Sequence, residues 1–301
     1  MSLGLLFSGQ GHQQAGLPDW LAALPGAQAA LGALEEGWQQ HLSDPDWASA
    51  NLNAQPLLTG LALAAWQGIR AHLPAPAAVA GYSVGEMAAF CAAGVYPLAT
   101  ALAISRQRAA QMQACVQAPQ GLLSVAGLPA ALRGAIAARH GLEDAIRLSP
   151  DQAVVGGLVA GLEAAGPEFE AAGARLTRLA VRIASHTSAM RPAAAALLAE
   201  LAPQHWAPPD TVLICNASGA PERQPEALKA ALAAQLARTV PWDQCEAQMA
   251  ERGPRCVLEI GPGEALARGW QQRHPQIPAR ALASFQSVAG VAAWVARQCE
   301  S

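Results

Sequence analysis

Charge is what this chain has least of. Asp, Glu, Lys and Arg make up 14% of its 301 residues and apolar residues 52%, where soluble domains usually carry ~25% charged residues. That excludes a disordered or highly charged tail protein, because there is ample apolar surface to bury. A formal net charge of -3 removes the electrostatic case for wrapping nucleic acid. Lysine is almost missing, one residue beside 18 arginines; codon bias is the first reading and a need for guanidinium chemistry the second. The six cysteines, at 91, 115, 215, 245, 256 and 299, contain no C-x-x-C and no metal-like pairing with histidine. They read as small core residues. A basic-plus-apolar leader is not expected either, since Ser8-Gly9-Gln10-Gly11 interrupts the first apolar run. Met87 to Ser105 is uncharged for 19 residues, close to membrane-span length. It holds Gly94 and Pro97 and is mostly alanine, so two packed helices joined by a turn are expected there. The expectation is a cytoplasmic globular protein with no metal, of about two domains.

What is present is alternation. Leu3 to Phe7 is a short apolar run breaking into a glycine loop, as a buried parallel strand does. Residues 20–42 and 52–73 carry helical spacing, and Val79 to Val84 is again strand-like, followed by helix at 85–93 and 98–116. Strands alternating with helices predict an α/β domain with a buried sheet. Between 119 and 186 the order changes: strand at Leu122–Ala126, helix at 129–140, strand at Ala145–Leu148, turn, strand at Ala153–Val155, helix at 159–172, strand at Leu176–Ile183. That β-α-β-β-α-β order is the ferredoxin-like arrangement. It predicts a small domain, 119–186, inserted into a larger one made of 1–118 and 187–301. From 187 the α/β pattern resumes: helix 189–202, strand Thr211–Cys215, helix 225–237, strand Cys256–Ile260, then Gly261-Pro262-Gly263 into another helix.

Gly81-Tyr82-Ser83-Val84-Gly85 is a G-x-S-x-G between a strand and a helix, the sharp turn that exposes a nucleophilic serine. The glycines leave room for the strained turn, and the helix that follows aims its free amides at the serine oxygen. Serine needs a base to take its proton. Of seven histidines, six sit in loops or polar stretches; His186, in Ile183-Ala-Ser-His-Thr-Ser-Ala-Met190, ends a strand and precedes a helix. By position it is a candidate base, with a capping or surface histidine as the ordinary alternative.

With these residues in place, the sequence resembles the malonyl-CoA:acyl carrier protein transacylases and the acyltransferase domains of polyketide and fatty-acid synthases. Six motifs fall in the family's order: Ser8 to His12, Gly81 to Glu86, Arg106 to Met112, Ser185-His186 to Met190, Gln235 to Trp242 and Glu259 to Gly263. The resemblance implies an α/β-hydrolase-like large domain with a ferredoxin-like insert. It implies Ser83 as nucleophile, His186 as general base and then acid, and the backbone amides of Gln10 and Val84 as oxyanion hole. It implies that Gln235 orients His186 through its main-chain carbonyl, and that Arg108 pairs with the malonyl carboxylate. Ala101, Ile104, Met112 and Cys115 share the Arg108 face, so a lone guanidinium there wants an anion; a structural salt bridge is the plain alternative, and without the resemblance Arg106 is nearly as good a candidate.

Two positions depart from the family. Tyr82 stands where histidine usually precedes the nucleophile, and Arg147-Leu148-Ser149-Pro150 lacks the family's asparagine; acyl and acceptor preference hang on both. The Gly-Tyr-Ser-Val-Gly-Glu elbow is similar to that of the malonyltransferase subunit of bacterial malonate decarboxylase, with fatty-acid or polyketide synthesis as the rival. Implied partners are an acyl carrier protein or carrier subunit, and on the first branch other malonate decarboxylase subunits, with neither nucleic acid nor membrane. No cofactor is implied beyond the substrate malonyl-CoA or malonyl on a CoA-derived arm. Arg175, Arg178 and Arg182 are candidates for a basic docking rim, or simply a solvated face. A serine esterase or thioesterase shares G-x-S-x-G but needs a late histidine after an acid; His274 after Asp243 could be forced into those roles, leaving the inserted unit and the Gln10 loop unexplained. A non-catalytic carrier-docking subunit is the third reading, at odds with an intact serine and histidine.

Overall fold

A computed structural model describes residues 2–10 and 16–300; Gly11 and His12 of the opening loop lie outside the described residues. The described strands are β1 (Leu3–Phe7), β2 (Pro76–Gly81), β3 (Gln120–Ala126), β4 (Glu143–Ser149), β5 (Gln152–Leu158), β6 (Arg175–Arg178), β7 (Val212–Cys215), β8 (Ala220–Glu222), β9 (Val240–Pro241), β10 (Cys256–Ile260) and β11 (Ala279–Ala281). They form two sheets, ordered β11-β10-β1-β2-β7-β8 and β6-β3-β5-β4-β9.

In the first sheet β11, β10, β1, β2 and β7 are mutually parallel and only β8 turns back. The all-apolar β1, Leu-Gly-Leu-Leu-Phe, is buried along its whole length, as a central parallel strand covered on both faces must be. Its register aligns Phe7 with Gly81 on one side and Ile260 on the other, and β2 aligns Ala80 with Ile214. The strands therefore run out along one edge, and the loops after Phe7, Gly81, Cys215 and Ile260 emerge together there. Parallel α/β sheets place their ligands at that carboxyl edge.

In the second sheet β3 to β6, with helices Ala130–Arg139 and Val159–Ala171 after β3 and β5, run strand-helix-strand-strand-helix-strand. The pairs β3–β5, β3–β6 and β4–β5 are all antiparallel. A two-residue strand from much later in the chain, β9, pairs parallel with β4, so the edge of this sheet is closed by residues outside 119–186.

The structure corrects three expectations. The helix at 20–42 is broken into Asp19–Ala22, Pro25–Leu31 and Trp38–His41, because Pro25 starts a new helix and Gly37 takes a left-handed φ of 79°. The last strand of the 119–186 segment stops at Arg178 rather than Ile183. Leu179 still donates to the Leu122 carbonyl, but Gln120, which would have continued the ladder, turns its side-chain oxygen to the Ala184 amide at 3.0 Å. That lets the chain leave the sheet and deliver Ser185 and His186 to the edge of the first one. Helix Leu98–Ala114 stops short of residue 116, at the Cys115 cap. Cys215, Cys245 and Cys256 are buried, while Cys91, Cys115 and Cys299 are half-buried and packed against the main core. No described helix is long and apolar enough to cross a membrane.

Candidate active site

Ser83 sits between β2 and the helix Gly85–Ala92 at a left-handed φ of 53°. A β-carbon on Gly81 would lie 2.2 Å from the Gly85 carbonyl carbon, and one on Gly85 would lie 2.3 Å from the Phe7 oxygen. Both glycines of the motif are thus sterically required. A non-glycine residue in this region costs ~1–3 kcal/mol, so something must hold it. The Ser83 amide donates to Asn216 Oδ1 at 2.9 Å, and Asn216 Nδ2 donates to the Gly81 carbonyl at 2.6 Å.

His186 is likewise left-handed, with φ of 63°, and its amide donates to the Leu236 carbonyl at 2.8 Å. Nδ1 lies 2.6 Å from the Gln235 main-chain oxygen, and Nε2 lies 2.7 Å from Ser83 Oγ. A carbonyl only accepts, so Nδ1 carries the proton and Nε2 is left to accept from the serine hydroxyl. Burial, reinforced by Arg108 and opposed by the Gln235 carbonyl, pushes the imidazole pKa down to about 3. The ring is therefore neutral at physiological pH and able to take the Ser83 proton.

Behind this pair lies the fully buried Arg108, on the 98–114 helix. One terminal nitrogen donates to Gln55 Oε1 at 2.6 Å and the other to Gln235 Oε1 at 3.3 Å, while Nε has no partner. Its hydrogen-bond partners among the described residues are neutral amides, and the buried Glu86 carboxyl acts on it through charge without a hydrogen bond. Burial lowers its pKa to about 10, partly offset by Glu86, which leaves it cationic. Arg106, the alternative, is exposed and reaches only the Ala33 carbonyl at 3.4 Å. Gln235 thus touches three partners: its carbonyl holds His186, its Oε1 accepts from Arg108, and its Nε2 donates to the Ser83 carbonyl at 3.5 Å.

A cavity of about 640 Å³ opens over Ser83 and His186, between the two sheets, and Gln10, Tyr82, Leu148 and Arg178 are among the residues that line it. Neither Arg108 nor Gln235 is among the lining residues; both lie behind the Ser83-His186 pair. Tyr82 packs edge-on to Trp242, with ring centroids 5.0 Å apart, and burial holds its phenol well above the usual range. Gln10 bonds the Ser49 carbonyl through Nε2 at 3.2 Å, and Val84 caps the helix that follows Ser83. The loop carrying Gln10 is anchored by Ser8, whose hydroxyl donates to Glu259 Oε1 at 2.8 Å. Glu259 in turn accepts the Ala267 amide at 2.8 Å.

Six sequence-derived residues thus gather in one place: Gln10, Ser83, Val84, Arg108, His186 and Gln235. Asp243 and His274 do not join them. Asp243 pairs with Arg147 at 2.7 Å and His274 packs on the Trp270 ring at 4.4 Å, so a late acid-histidine pair is not assembled with Ser83. Asn216, Gln55 and Glu86 have parts in the site that motif reading left unassigned. Asn216 follows an apolar strand and Gln55 interrupts an apolar helix, signals that mark a polar residue out without saying what it touches. No cluster of three or more metal-ligating side chains occurs among the described residues.

Residues 5–291 match the model of the acyl transferase domain family. The malonyl CoA-acyl carrier protein transacylase of Mycobacterium bovis is 31% identical over 293 residues, covering 94% of this chain and 96% of that protein. The crystal structure of an acyl-carrier-protein S-malonyltransferase from Burkholderia pseudomallei superposes with a TM-score of 0.89 at 28% identity, covering 97% of this chain and all of the other. A malonyl-transacylase solved in complex with its type II polyketide acyl-carrier protein gives 0.89 at 27% identity, over 96% and 98% of the two chains. The family match and these relatives define an acyl-transferring enzyme. The chain belongs to the acyl transferase family, among the malonyl-CoA:acyl carrier protein transacylases.

Proposed function

We propose that this protein moves a malonyl group from a CoA thioester to the phosphopantetheine-type arm of an acyl carrier protein through a malonyl-Ser83 intermediate. The observation that carries the reading is the 2.7 Å contact between Ser83 Oγ and His186 Nε2, with Nδ1 tied to the Gln235 carbonyl. Ser83 Oγ attacks the thioester carbonyl carbon while its proton passes to Nε2. The amides of Gln10 and Val84 flank the serine and would receive the oxyanion. Collapse breaks the carbon–sulfur bond, and the imidazolium returns the proton to the departing CoA sulfur. The carrier thiol then attacks the ester with His186 again as base, and Ser83 leaves with the proton. The pair needs no cofactor for either half. Arg108 holds the malonyl carboxylate once it displaces the Gln55 and Gln235 side-chain oxygens.

The small unit 119–186 fits a ferredoxin-like insert in an α/β-hydrolase-like domain of 1–118 and 187–301, and the cavity between the sheets would admit the arm. Six free thiols suit a reducing, cytoplasmic setting. Tyr82 before the serine favours the malonyltransferase subunit of bacterial malonate decarboxylase, working beside that enzyme's other subunits. The names of the relatives favour the second reading, a malonyl transacylase of fatty-acid or polyketide synthesis. Initial rates against malonyl-CoA and each carrier test both points. Ping-pong kinetics are expected, with the malonate decarboxylase carrier preferred; a ternary-complex pattern would overturn the serine intermediate, and preference for the fatty-acid carrier would select the second branch.

A further inference from the structure

The ladder between β2 and β7 ends at Ala80 and Ile214, just where the chain must turn. Asn216, fully buried, takes over from it. Its side-chain oxygen accepts the Ser83 amide at 2.9 Å and its side-chain nitrogen donates to the Gly81 carbonyl at 2.6 Å. One carboxamide thus spans the residue before the turn and the serine at its apex. The amide cannot be reversed, because the Ser83 N–H only donates and the Gly81 carbonyl only accepts. Asn216 is held in turn from the other side of the turn: its own amide donates to Glu86 Oε1 at 2.6 Å. Glu86 lies in the first turn of the helix after Ser83, is fully buried, and has no partner for Oε2. Strand β7, the turn and the helix are therefore locked by two buried side chains that take no part in the proton transfer.

We infer that Asn216, held by Glu86, is a positioning residue that keeps Ser83 in its left-handed conformation with Oγ aimed at His186. The inference rests on Ser83 being the nucleophile. Relaxing a strained turn moves the hydroxyl off Nε2, and a misplacement of ~1 Å at a reacting atom costs ~10²-fold in rate. Volume alone does not fulfil the role: Asn216→Asp keeps the size and the acceptor but sets an oxygen against the Gly81 carbonyl.

The test uses a fluorophosphonate, which labels an activated serine whatever acyl group the enzyme prefers. Labelling of Ser83 and steady-state transfer are measured well below each variant's melting temperature. Asn216→Ala and Asn216→Asp are expected to slow labelling by about tenfold or more, with kcat falling in proportion and KM for malonyl-CoA within about twofold. Glu86→Ala is expected to slow it less, and Glu86→Gln, which keeps an acceptor oxygen, to recover most of that loss. A purely structural role lowers the melting temperature and leaves the labelling rate of the folded enzyme unchanged. Folded Asn216 variants labelled at the wild-type rate overturn the inference; if they do not fold, equal labelling of Glu86→Ala and wild type overturns it. Wild-type protein that labels elsewhere than Ser83 instead defeats the nucleophile assignment itself.

Discussion

Arg108 is held in place by two glutamine oxygens and keeps its charge out of water, an arrangement that is costly without an anion. On the proposed reading a malonyl carboxylate supplies one, whereas an acetyl methyl would leave the guanidinium dehydrated, at several kcal/mol and so ~10²–10³ or more in preference. Arg108→Ala removes the penalty with the attraction, so malonyl transfer should collapse while acetyl transfer is kept or gained. The ratio of the two rates at matched folding measures this, and an unchanged ratio rejects the assignment. Lysine should not restore selectivity, because a point charge lacks the planar fork. His186 carries a second expectation. Its depressed pKa, about 3, means that kcat/KM for malonyl-CoA should show no acid limb near pH 6.5, where an ordinary histidine would titrate. An acid limb at that pH, lost in no other variant than His186→Ala, contradicts the buried neutral imidazole.

At the scale of elements, the turn after β2 stores its strain between two strands and a helix. Glu86 is the titratable part of that assembly: burial pushes its pKa up to about 8, against the hydrogen bond from Asn216 and the charge of Arg108. A folded pKa above the unfolded one stabilises at low pH. The contribution is complete below about 4.5 and is lost as pH rises from there through about 8. Denaturant unfolding across that window should therefore show a decline in stability that is absent in Glu86→Gln. The same turn shows what the sequence makes legible. Buried parallel strands, the two glycines and the helix phase of Arg108 leave local marks, because period and steric need are written in neighbouring residues. Strands of two or three residues, such as β8, β9 and β11, are too short to carry a period. The early end of β6 depends on Gln120 bonding Ala184, 64 residues away. Asn216 is functional only through the register of β7 against β2, which no local pattern states.

For the whole molecule, the cavity is lined from both sheets, and Arg178 at the end of β6 reaches its rim. Arg178 lines the cavity, Arg175 is exposed, and Arg182 pairs with Asp46 in an exposed contact worth little energetically. An acidic carrier would be drawn to these arginines, and attraction across water weakens over ~10 Å at 0.1 M salt. Charge reversal at these three positions, or added salt, should slow the carrier half-reaction more than acylation by malonyl-CoA; insensitivity to both moves the docking surface elsewhere. The proposed function requires one covalent event, at Ser83 at the carboxyl edge of the first sheet. Mass spectrometry of the intact protein mixed with malonyl-CoA, before any carrier is added, tests it most directly. The expected result is an adduct of one malonyl group on Ser83, absent in Ser83→Ala and formed ~10³-fold more slowly in His186→Ala. Folded Ser83→Ala that still becomes acylated and active would contradict it.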